Sequence, residues 1–188
     1  MTYQAYPPYQ GPPPYGYGGP PQPMSPGGQP LADFGNRLLA YIIDSAILGA
    51  VIMLIFLPVY GFYLYGVMNS VDATDPNPFG DVIGPFLIIY AGIFLVDLIL
   101  LYLYHVEYMH RGGQTLGKKI MKLKVVPIDP NLRLTRGMAA KRYVVETICG
   151  LVVPMFSYLD GFWQLWDKPY QQTLHDKFAE TVVVKVGP

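Results

Sequence analysis

The 188-residue chain has a single cysteine, few charges and no charge at all in its first thirty residues. Each shortage excludes something. Cys149 alone cannot build a disulfide framework or a thiolate metal cluster, and its apolar surroundings in sequence argue against redox chemistry. Charged residues make up 14% of the chain against 52% hydrophobic ones, and the mean hydropathy is +0.27, too apolar for one water-soluble domain. The N-terminus lacks the short basic region and apolar run of a cleavable signal, so it is expected to be retained. Residues 1–31 are dominated by Pro, Gly and Tyr, cannot bury enough surface to offset ordering, and are expected to form a disordered tail. Within it, Pro12 to Tyr15 is a short run of the kind that proline-reading modules bind.

What is plentiful is apolar sequence in long runs. Residues 38–57 carry one charge, Asp44, over a length that crosses a hydrocarbon core about 30 Å thick. Residues 82–104 form a second such span, with Asp97 as its one charge. Between them, Pro58 to Met68 is rich in Tyr and Gly and is expected at the far interface. Asn69 to Asp81 reads as a polar loop in which Pro76 and Pro78 exclude a helix. A third apolar region is interrupted by Pro154, so residues 135–167 are expected as two short helices, re-entrant or crossing. A single third crossing with the tail outside is the alternative. The β-branched runs 120–126 and 181–186 predict a small pairing, which requires both on one aqueous side. The expectation is an all-α membrane domain over 32–188 with a minor β element.

Nine of the 13 Lys and Arg lie between Arg111 and Arg142, which predicts a cytoplasmic loop and, two spans back, a cytoplasmic N-terminus. Lys118, Lys119, Lys122 and Lys124 predict attraction to anionic lipid headgroups at about 1 kcal/mol per charge. A net charge of zero gives no reason to expect nucleic acid.

The candidate chemistry is acidic and lies in the membrane. Arg37 and Asp44 are two helical turns apart, so they share a face with Asp44 about 10 Å deeper. A carboxylate at the centre of a membrane helix costs about 2.5–3.5 kcal/mol, so Asp44 is either a structural post between helices or a functional group. Asp97 precedes His105 by eight residues and is expected level with Asp44, making Arg37, Asp44 and Asp97 a candidate ion or proton site. Glu146 and Asp160 could join it from the third region.

The other clusters promise less. Gly112 to Lys119 has the glycine and lysine spacing of a phosphate-binding loop, but Lys119 stands where Ser or Thr is required and no strand precedes it. His105, Glu107 and His110 do not have metal-ligand spacing and are read as an interfacial cap. His175 and Asp176 adjoin without any nucleophile motif. No catalysis, cofactor or metal is expected.

Three motifs together resemble the RDD family, over about Ala32 to Val186. They are Arg37, Ala40 and Asp44 in RLLAYIID; Gln114, Thr115, Gly117 and Lys118 in GQTLGKK, followed by Val125 and Val126; and Leu174, His175, Asp176, Ala179 and Thr181 in TLHDKFAETVVV. The resemblance implies a multi-pass protein of the bacterial plasma membrane. It places the family's arginine and first aspartate on Arg37 and Asp44, and the second aspartate on Asp176, with Asp97 as the alternative. The activity it implies is largely unassigned, with transport, including cation/proton antiport, suggested for some members. Two functions follow as expectations. One is a transport-related component moving a cation, proton or small solute, which at this size needs homo-oligomers or a membrane partner. The other is a non-catalytic adaptor whose Arg/Asp pair is structural and whose Pro-rich tail recruits partners.

Overall fold

A computed structural model describes residues 22–70 and 77–187. The Pro12 to Tyr15 run and the loop residues Asp72, Asp75 and Pro76 lie outside the described residues. Helix α1, Phe34–Ser70, and helix α2, Pro78–Tyr102, are the two long apolar helices. α2 continues through a π-helical turn, Leu103–Tyr108, into α3, Met109–Gly112, where Gly113 ends it in a left-handed conformation (φ 74°). The two run antiparallel: Tyr104 meets Asp44 at one end, and the Tyr63 hydroxyl donates to the Val82 carbonyl (2.7 Å) at the other. Nineteen residues separate Asp44 from Tyr63, about 28 Å of helix, close to the thickness of a hydrocarbon core. Almost no residue in the apolar stretches of these helices is fully buried by the rest of the chain, as expected where lipid is the solvent.

Both helices exceed the expected spans. α1 runs through Pro58 to Ser70, because the segment after Pro58 holds no further proline and an apolar chain satisfies its backbone best as a helix. The expected loop from Asn69 to Asp81 is likewise shortened at both ends. Pro78 starts α2 rather than excluding it, since a proline in the first turn needs no backbone donor, and Asn77 caps that turn through Gly80 N–H.

The third region is a helical hairpin. Thr135 caps α5, Arg136–Tyr143, which passes through a π-helical turn, Val144–Cys149, into α6, Gly150–Val152. The chain breaks over Val153 to Met155, where Met155 has φ 65°, and returns as α7, Phe156–Trp163. Phe162 of α7 stacks on Phe34 at the start of α1 (5.7 Å), so the hairpin closes on the side from which it entered. Pro154 at the break is consistent with its missing donor and fixed φ.

Two short helices and two strands complete that side: α4, Leu116–Ile120; β1, Leu123–Pro127; α8, Leu174–Phe178; and β2, Thr181–Lys185. β1 and β2 pair antiparallel with Val125 opposite Val183. A lone two-stranded ribbon is marginal in water. Here Leu123 and Val125 are fully buried against Ala40, Val106, Met109 and Ala139. The chain before α1 also adds to the ribbon, with Ala32 N–H donating to Val183 O and Lys185 N–H to Pro30 O, both at 2.9 Å. This moves the expected boundary of the tail. Residues 22–31 are described and turn back on themselves at Met24 and Pro30, and Leu31 is buried against Val182 and Val184, an apolar contact strong enough to order them.

Candidate functional site

Two buried carboxylates organise the side of the molecule where the strands lie. Asp44 projects from α1 towards the loop after α3. Its carboxylate accepts from the Thr115 hydroxyl (2.5 Å), Gly117 N–H (2.7 Å) and the Tyr104 hydroxyl, with Lys118 Nζ at 4.0 Å. Thr115 is also the N-cap of α4, so one hydroxyl both starts that helix and binds the acid. Gly117 has to be glycine: a Cβ there would strike the Ala40 carbonyl oxygen and come within 2.8 Å of Asp44 Cγ. Gln114 secures the loop from its other side by donating Nε2–H to Leu123 O (2.7 Å).

Asp176 is the second. It lies in α8, whose N-cap Thr173 exchanges side-chain and backbone hydrogen bonds with it in a capping box. Arg37 Nη1 reaches it at 3.0 Å and Arg142 Nη1 forms a second ion pair. Arg142 also donates to Thr181 Oγ1 (2.6 Å), while Arg37 donates Nε–H to Ala32 O (3.1 Å) and Nη2–H to Val183 O (3.3 Å). Burial by itself would raise the Asp176 carboxyl, but Arg142, His175 and Arg37 outweigh it and hold the group well below the usual carboxylate range. Beside it, His175 Nδ1 lies 2.6 Å from Asp160 Oδ2, and His175 N–H donates to the same carboxylate (2.8 Å). Leu174, half-buried, opens α8.

Several sequence expectations are redrawn. Arg37 and Asp44 share α1 but not a partner: Arg37 turns to α8 and β2, whereas Asp44 is claimed by the α4 loop. The two residues are seven apart and about 10 Å of helix separates them, too far for direct contact. Asp97 is not level with Asp44. It lies beside Ile52 and Ile55 of α1, eight or more residues beyond Asp44, and its Oδ1 is buried without a hydrogen-bond partner among the described residues. The lysines are not one outward patch either, since Lys118 turns inward with its side chain 17% exposed while Lys119 faces out. Glu107 pairs with Arg136 and accepts from Tyr102 (3.2 Å), and His110 Nδ1 contacts Val106 O (3.0 Å). Among the described residues no group of His, Cys, Asp and Glu is placed to hold a metal.

Tyr104, Arg142 and Thr173 were not singled out from the sequence, whereas Thr181 was, as part of the third motif. Thr173 carried a readable signal, the Thr-x-x-Asp spacing of a capping box. Arg142 looked like any other cation of the basic stretch.

Between the two carboxylates stands a group of titratable side chains. Glu146, in the π-helical turn of the hairpin, is within electrostatic reach of His175, His105, Lys118 and Arg142. His105 occupies the π-helical turn after α2. Neither the Glu146 nor the His105 side chain has a hydrogen bond or ion pair among the described residues, and both residues are half-buried. Single π turns inside helices recur at functional sites.

A protein-family model described as the RDD family matches residues 31–180, most of the chain. The chain belongs to the RDD family. RDD proteins are membrane proteins, in keeping with the two long apolar helices. The RDD match takes in α1, the α4 loop, the hairpin and α8, and so contains both carboxylates with all their side-chain ligands but Thr181. No curated protein and no solved structure matches the chain.

Proposed function

We propose that this RDD protein is a transport-related component of the bacterial plasma membrane, exchanging protons with a cation or small solute. In this reading His105 carries the proton, with the Glu146 carboxylate, Lys118 and His175 setting the local field. Arg37, Asp44 and Asp176 build the frame around them. The observation behind it is the contrast within one cluster. Asp44 and Asp176 are saturated by ligands from the same chain, whereas Glu146 and His105 are half-buried, close to other titratable groups and without side-chain hydrogen bonds among the described residues. A histidine so placed can change charge without dismantling the fold. The strand-bearing side carries the basic stretch and is taken as cytoplasmic, with the N-terminus on the same side. Two spans and a re-entrant hairpin enclose no pathway alone, so the reading includes a second copy or a membrane partner.

Proteoliposomes holding a trapped pH dye test this. Wild-type protein is expected to give cation-driven proton movement, and His105→Gln to reduce it about tenfold or more, the scale of a lost proton-transfer group. Melting temperatures should stay near wild type. Flux at the leak level of empty liposomes for wild type would reject the reading.

A second reading, a non-catalytic adaptor, is favoured by the same saturation of Asp44 and Asp176. It expects His105→Gln to be silent in every flux assay.

A further inference from the structure

A different concavity lies on the aqueous side, away from both carboxylates. This groove, of about 480 Å³, is walled by the end of α3, by β1 and the loop after it, and by the turn at Ser25 to Gln29. Its size is ordinary for a small-molecule site.

Its charge is one-sided. Arg111, Lys124 and Arg133 line the groove from three separate segments, and none has a side-chain hydrogen bond or ion pair among the described residues. The one acid on its wall, Asp129, is occupied by Asn131, whose N–H and Nδ2–H donate to Asp129 Oδ1 at 2.9 and 3.0 Å. The uncharged first thirty residues cannot supply a counter-charge. Several other cations on this side have partners: Arg37 and Arg142 with Asp176, Arg136 with Glu107, Lys177 with Asp167 and Lys185 with Asp33. Three cations from separate segments thus share one concavity with a single acid that Asn131 already engages.

The depth narrows the chemistry. Arg111 is seven residues beyond Tyr104, so the rim of the groove stands about 10 Å outside the Asp44–Tyr104 layer. If that layer bounds the hydrocarbon core, the rim is at the level of lipid phosphates. Two arginines and a lysine are the groups that bind phosphate oxygens, the arginines in a bidentate fork. Gly112 on the wall leaves room for those oxygens, with nothing within 4 Å of a Cβ built there.

We propose that the groove binds a phosphate-bearing anion, presented either by a phospholipid headgroup or by a soluble phosphate ester. The site is separate from Glu146 and His105 and does not depend on transport. The full chain in phosphatidylcholine nanodiscs tests it in two arms. In one, phosphatidylglycerol is mixed in and the lipid retained on the protein is counted by native mass spectrometry. In the other, inorganic pyrophosphate is titrated calorimetrically with no anionic lipid present.

The Arg111→Gln/Lys124→Gln/Arg133→Gln variant is expected to lose about tenfold or more of the binding, whereas Lys141→Gln/Lys168→Gln/Lys177→Gln, on exposed cations outside the groove, stays within about twofold. Binding in the first arm alone assigns the headgroup, and in the second a soluble ester. Equal losses in the two triple variants, or no retention in either arm, would overturn the proposal. Arg133→Gln alone, on an exposed loop position, is expected to weaken binding at an unchanged melting temperature. Full affinity in that variant and in the triple would likewise overturn it.

Discussion

The two carboxylates show how differently a buried acid can be satisfied. Asp44 takes neutral donors from a loop that must come within contact of α1, and Gly117 is what permits the approach. Gly117→Ala is therefore expected to destabilise the protein by about 1–3 kcal/mol, the usual penalty for a forced contact. Gly112→Ala, where nothing lies within 4 Å of an added Cβ, should be close to neutral in the same thermal-unfolding assay. Asp176 takes two guanidinium groups instead. Its carboxyl is held below its unfolded value, so its contribution to stability is complete above about pH 4 and is lost as pH falls through the folded value. Asp176→Asn should remove that acid-side loss. At neutral pH it should cost about 3–5 kcal/mol, because Arg37 and Arg142 are left buried without their anion. Melting temperature measured against pH for both proteins checks the two limbs.

At the scale of elements, the informative feature is the hairpin made by α5, α6 and α7. Its tip exposes Leu151, Val152, Val153 and Met155, an apolar surface that suits insertion into one leaflet. In a Cys149→Ala background, Leu132→Cys and Phe178→Cys are expected to label from one face of the membrane and Met68→Cys from the other. Phe178→Cys labelling from the Met68 face would mean that the hairpin crosses instead of returning. Much at this scale is legible in the sequence because its causes are local. Pro154 marks the break, Thr135 and Thr173 mark helix starts, and the β-branched run in 120–126 marks a strand. The lengths of α1 and α2 were less legible. Pro58 and Pro78 suggest interruption, yet one is absorbed within a helix and the other begins one.

At the scale of the whole molecule, two long helices leave their apolar flanks open while the short helices, the strands and both saturated carboxylates gather at one end. There the chain before α1, the α4 loop, the hairpin and the β1–β2 ribbon meet around the two carboxylates. The candidate site shifted with that gathering. Reasoning along one helix joins Arg37 to Asp44 and adds Asp97 by depth, whereas the folded chain sets Asp97 among isoleucines and brings Glu146 and His105 together from two different elements.

The sequence by itself determined the membrane character, the two spans, the broken third region, the strand pair and the family, because hydropathy, proline, caps and motif spacing act over a few residues at a time. Only the tertiary structure decided which charge meets which. Arg37 finds Asp176 across 139 residues and Asp44 finds Gly117 across 73. Contacts at such separations depend on how whole elements pack, and a buried charge accepts whichever partner that packing brings within reach.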